Sequence, residues 1–139
     1  MRKLYITAQE EALPPRGIRI AARRAAKIAG KLEGRRFCAG LLFTDDDNIR
    51  RLNAQFRSVD KPTDVLSFPS GVDDYLGDIA ISLERAQKQA DDIGQSLERE
   101  VAFLTAHAML HLFGYDHGTR DGEEAMCAMQ RKIMERTGL

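Results

Sequence analysis

Every histidine in this 139-residue chain falls inside one window, His107-Ala108-Met109-Leu110-His111-Leu112-Phe113-Gly114-Tyr115-Asp116-His117. The spacing is H-x3-H-x5-H. Residues four apart on a helix lie one above the other on the same face, so His107 and His111 can aim two imidazoles at one point. Gly114 is free to take the left-handed conformation that ends a helix. The chain then turns back and brings His117 to the same place. Three neutral imidazoles with an open fourth position describe a catalytic rather than a structural zinc site.

The ligand spacing is that of the long zinc-protease motif, H-E-x-x-H-x-x-G-x-x-H. In that motif a glutamate beside the first histidine is the general base. Here the position is Ala108, which cannot carry a proton. The spacing therefore points to a metal hydrolase of another kind.

Around this window the chain alternates between strand and helix signals. Lys3–Thr7 suggests a first strand, and Pro14-Pro15 breaks the chain before an amphipathic helix over Gly17–Leu32. Phe37–Thr44 has the apolar run of a buried strand. Thr44-Asp45-Asp46-Asp47 then opens a helix that runs to about Arg57. After a loop from Ser58 to Thr63, Asp64–Pro69 is β-like and stopped by its proline, and Gly77–Ser82 alternates as a half-buried strand. Helices follow over Leu83–Ile93, from Ser96 through the first two histidines, and from Gly122 to Arg136. The expected fold class is α+β: a single domain over 1–139, with a small mixed four-stranded sheet, about five helices and a metalloprotease-like three-histidine helix-turn site.

Charge is balanced overall but not along the chain. Residues 1–36 hold ten Lys/Arg against three Asp/Glu, and the excess includes Arg19, Arg23, Arg24, Lys27 and Lys31 of the first helix. Such a face is either simply solvated or a footprint for a phosphate backbone. No apolar run is long enough to span a membrane, Cys38 and Cys127 are isolated, and the start lacks a signal-peptide pattern. A cytoplasmic location is the expectation.

A second constellation runs from Leu52 to Pro69. It sets Arg57 and Lys61 at a helix exit ahead of a strand. A guanidinium there could be a surface cation, and it is also the group best shaped to hold a phosphate through two parallel hydrogen bonds. The three blocks T-D-V-L-S-F-P (63–69), L-G-D-I-A-I-S (76–82) and H-x-x-x-H-L-x-G-Y-D-H (107–117), in this order, resemble the bacterial YbeY family of metal-dependent, single-strand-specific endoribonucleases. The likeness is carried by Leu52 to His117, and the length and flanking pattern fit throughout. Ala108 stands where that family more often has glycine, and Arg131 where an acid is common.

The resemblance implies one zinc held by His107, His111 and His117, with Arg57 catalytic or phosphate-binding; Lys61, at the same helix exit, is a second candidate for substrate binding. It also implies single-stranded ribosomal RNA as the partner, in maturation of the small-subunit RNA 3′ end and in ribosome quality control, with the small subunit and assembly factors nearby. The general base stays open: water activated by the metal, another acid, or the RNA 2′-hydroxyl. Asp116 is either that base or, preferably, an orienting or turn-forming residue. Aromatics near the motifs are Phe68 and Phe113, expected in the core, Tyr115, and Tyr75, expected in an exposed loop. Two other readings remain: a metallopeptidase, opposed by Ala108, and a non-catalytic RNA-binding assembly factor with a structural metal.

Overall fold

The computed structural model describes residues 1–9 and 13–139. The elements run β1 (Arg2–Ala8), α1 (Arg16–Glu33), β2 (Phe37–Thr44), α2 (Asp46–Arg57), β3 (Val65–Val72), β4 (Tyr75–Ser82), α3 (Leu83–Ile93), α4 (Leu97–Leu112) and α5 (Arg120–Thr137). The sheet order is β1-β2-β4-β3. β1, β2 and β4 are parallel, and β3 pairs antiparallel with β4 as an edge strand. This is the α+β class with a mixed four-stranded sheet and five helices that the sequence pattern predicts.

The two faces of the sheet have different fates. Leu4, Leu41, Phe43, Ile79 and Ile81 point to one side and join α1, α4 and α5 in the main core. Leu66, Phe68 and Ala80 point to the other, where α2 packs on them through Ile49 and Leu52. The difference follows from the period-two alternation of a strand combined with helices of unequal size.

α4 is the axis of the main core. Val101, Ala102, Leu104, Thr105, Ala106, Ala108, Met109 and Leu110 are all buried, and a helix apolar on nearly every side belongs in the interior. The small residues Ala22, Ala25, Ala26 and Ala29 of α1 are fully buried in the same cluster, and their short side chains favour close packing of the helix on the core. One stripe of α4 stays open, formed by Phe103, His107 and His111 at intervals of four. Burial of the rest of the helix thus fixes the direction in which the histidines face.

Two strand boundaries differ from expectation by two residues or more. β3 is not stopped by Pro69 but continues to Val72 with a register irregularity between those residues. A proline lacks a ladder donor, yet an edge strand tolerates it. β4 begins at Tyr75 rather than Gly77, which places Tyr75 on the sheet and not in a loop.

Candidate metal centre

The turn after α4 is built by main-chain bonds. Gly114 N–H donates to His111 O (3.0 Å) and Tyr115 N–H to Leu110 O (2.9 Å). This is the paired pattern of a Schellman ending, and Gly114 has φ +105°. Asp116 accepts the Gly118 N–H at 2.8 Å, so its carboxylate shapes the next turn, and its charge partly opposes the lowering of the His111 pKa. Thr119 caps α5 by accepting from Gly122 N–H at 3.0 Å. Tyr115 Oη donates to Glu33 on α1 at 2.5 Å, tying the turn to the helix opposite.

The result is a cluster. The ring centroids of His107, His111 and His117 are 4.8–5.2 Å apart, and one ligand nitrogen from each can be chosen so that all lie within 4.8 Å of one another. His111 Nδ1 lies 3.1 Å from Tyr115 O. Donation to that carbonyl fixes the tautomer and leaves Nε2 with its lone pair free, the usual support for a ligating histidine. Burial, then the neighbouring His111 and His117, pushes the pKa of His107 down to about 4. Burial also lowers that of His111, followed by the effect of His117. Both rings are therefore neutral donors at pH 7. Three convergent imidazoles on a half-open surface, two of them held neutral, suit a divalent transition ion.

Arg57 ends α2 and reaches β3. Its guanidinium donates to Ser67 O and lies 5.7 Å from the Phe68 ring centroid. Its charge is among the influences lowering the His111 pKa, so arginine and metal cluster share one electrostatic neighbourhood. Lys61 is different. Its backbone carbonyl accepts from Asn53 Nδ2 at 2.9 Å, while its side chain is exposed. Among the described residues no hydrogen bond or ion pair ties that ammonium to Arg57 or to the histidines.

Against known proteins, residues 7–138 match the family model described as Endoribonuclease YbeY. The chain belongs to the YbeY endoribonuclease family. Relatives named Endoribonuclease YbeY include that of Desulforamulus reducens, 49% identical over 110 residues that cover 72% of each chain. That of Roseiflexus sp. is 47% identical over 125 residues, covering 81% of this chain and 75% of the relative. That of Brevibacillus brevis is 40% identical over 134 residues and 84% of each. The solution structure of a Thermotoga maritima protein superimposes with a TM-score of 0.68 at 28% identity, over 98% of this chain and 87% of that one.

Within this YbeY fold, Ala108 is buried on the core side of α4. No peptidase-type carboxylate occupies the position beside His107. Of the basic helix, Arg24 donates to Thr137 O at 3.0 Å and Arg19 to Pro14 O at 3.1 Å. Part of that charge thus holds helix ends, while Arg16, Lys27 and Lys31 remain exposed. Phe113 packs at the edge of the main core, as expected, and lies edge-on to Phe37. Phe68 is only half-buried, and the exposed aromatics among the described residues are Tyr5, Phe56 and Phe103. Sequence reasoning also missed Asp64. It accepts from Val65 N–H (2.8 Å) and Gln89 Nε2 (3.3 Å), and its charge opposes the depression of the His107 pKa. Among the described residues, no helix is long and apolar enough to cross a membrane.

Proposed function

We propose that this endoribonuclease cuts single-stranded ribosomal RNA at a zinc held by His107, His111 and His117, with the domain spanning 1–139 as the catalytic unit. The convergence of three imidazoles beside Arg57 carries this reading. His107, His111 and His117 would hold a divalent ion, which would supply Lewis acidity toward the phosphoryl group and its nucleophile.

The chain's own residues do the rest. His111, held by Tyr115 O, keeps its other ring nitrogen free to ligate. Arg57, anchored by Ser67 O, has further N–H donors to place on a phosphate oxygen, where a fixed cation stabilises developing negative charge. Lys61, on the exposed loop beyond Arg57, meets a flanking phosphate of the strand. Maturation of the small-subunit RNA 3′ end and ribosome quality control, in the cytoplasm and alongside assembly factors on the small subunit, are the tasks we assign. Family membership supports that assignment.

The test is cleavage of end-labelled single-stranded RNA by wild type and Arg57→Ala, with RNA binding and bound metal measured on the same preparations. Loss of cleavage with metal and binding retained is the expected result. Full cleavage by Arg57→Ala would remove arginine from the reaction. RNA binding without cleavage by the wild type, at full metal occupancy, would instead favour an assembly factor that does not cut.

A further inference from the structure

The face of the sheet turned away from α4 is only partly covered by α2. Beside α2 lies a groove of about 820 Å³, lined by Tyr5, Gly40, Leu42, Phe56, Phe68 and Asp78, with Arg57 also on its wall. Strand register places four of these residues in one row. Tyr5 pairs with Gly40, Gly40 with Asp78, and Asp78 with Phe68. The row spans three strand spacings, about 14 Å. An aromatic ring stands at each end, and a glycine and a carboxylate lie between them.

Each ring carries a cation. Lys3 Nζ is 5.8 Å from the Tyr5 ring centroid and Arg57 Cζ 5.7 Å from that of Phe68. Phe56 meets Phe68 edge-on at 5.4 Å and extends that wall.

The middle of the row is polar, with Asp78 and Tyr75 lying over Gly40. A Cβ at Gly40 would stand 2.5 Å from Asp78 Oδ1 and 2.6 Å from Tyr75 Oη. A glycine inside a strand costs stability, and here it makes room for a polar pair above the floor. Tyr75 Oη donates to Asp78 Oδ1 at 2.5 Å. Burial and that aspartate push the tyrosine pKa up to about 12, so the phenol remains a donor and holds the carboxylate in place. Asp78 Oδ2 has no protein partner among the described residues and is exposed.

We propose that this row is a nucleobase slot for the nucleotide next to the scissile phosphate, and that Asp78 selects guanine there. The proposal rests on the ribonuclease reading above. β3 is the sheet edge, with Arg57 straddling it between the histidine cluster and the groove. A strand whose phosphate lies at Arg57 therefore has its neighbouring base over the open face. Unstacked bases of single-stranded RNA are held by aromatic stacking and by hydrogen bonds to their Watson–Crick edges. A carboxylate is acceptor-only. Guanine offers it two adjacent donors, N1–H and N2–H. Uracil presents N3–H between two carbonyl oxygens that repel it.

The experiment titrates 5′-GMP and 5′-UMP separately into the ¹⁵N-labelled full chain. The phosphate and ribose are common to both probes, so the ratio of affinities isolates the base. GMP is expected to shift the Gly40, Leu42 and Asp78 amides and to bind roughly tenfold tighter than UMP, as for a bidentate base contact. Asp78→Asn should bring the ratio to near one, whereas Tyr5→Ala should weaken both nucleotides and keep the ratio. Equal affinities in the wild type, shifts confined to residues outside the groove, or a preference that survives Asp78→Asn would overturn the proposal. RNA cleavage, measured in parallel, separates the two readings. A protein that cuts RNA while GMP leaves Gly40 unmoved loses the slot and keeps its ribonuclease assignment. One that binds GMP at Gly40 yet cuts no RNA keeps the slot and loses that assignment.

Discussion

Gly114→Ala isolates the turn that delivers the third histidine. The residue has φ +105°, and a Cβ placed there would meet nothing within 4 Å. The substitution therefore acts through backbone strain alone. For an L-residue at positive φ that strain is about 1–2 kcal/mol. It is relieved if the segment after Leu112 swings away, which carries His117 off the other two rings. Metal binding must then restore the strained turn, and the cost emerges as lost affinity. At about 1.4 kcal/mol per decade this is roughly a five- to thirtyfold weaker metal.

Gly34→Ala is the control. It too has positive φ, +65°, and open space around its Cβ, but it ends α1. The same order of strain there should lower Tm by several degrees and leave the metal untouched. The assay is competitive titration of zinc, or the visible absorption of the cobalt-substituted protein, on wild type and both variants. If Gly114→Ala bound metal within twofold of wild type while losing as much Tm as Gly34→Ala, the turn would not govern the third ligand.

Three further outcomes follow from the same geometry. Arg57→Lys, which keeps the charge but loses the planar fork, should lower kcat/KM for RNA about a hundredfold, as for loss of one fixed transition-state donor, with metal content by atomic absorption unchanged; activity within threefold of wild type would contradict the assigned role. In metal-free protein His107 titrates near 4, below its ordinary 6.5. The unfolded chain thus takes up that proton first as pH falls, and stability present above pH 6.5 is lost between there and about 4. Calorimetry with chelator should show this decline in wild type and a shallower one in His107→Asn; parallel curves would refute it. Leu110 is fully buried in α4, so Leu110→Ala should cost about 2–5 kcal/mol in urea unfolding; a cost under about 1 kcal/mol would mean that α4 is not the central packed helix.

How much of this was legible in the sequence depended on distance along the chain. The histidine cluster is a local feature: an i, i+4 pair, a glycine and a return, all within one window, with α4 opened by the Ser96 cap on Arg99 N–H. Arg57 was found through its motif, although nothing local showed it anchoring to Ser67 O ten residues on. Pro69 read as a strand end because its effect depends on whether the strand is at an edge, and only the assembled sheet decides that. The row Tyr5–Gly40–Asp78–Phe68 was out of reach for the same reason. Its members come from four strands, and register across crossovers is set by packing of the core face. Tyr75 was misplaced because Asp73 and Asp74 look like loop for longer than they are. The support of His111 comes from a carbonyl, which no side-chain pattern reveals.

The central claim is that the three histidines make a metal site at which RNA is cut. It is tested most directly by stripping wild type and His107→Ala with chelator, adding zinc back to each, and following cleavage of an end-labelled single-stranded RNA. Cleavage lost on chelation, restored by zinc in the wild type and never recovered in His107→Ala is the predicted result. Equal cleavage by the two proteins, or wild-type cleavage indifferent to the chelator, would contradict it.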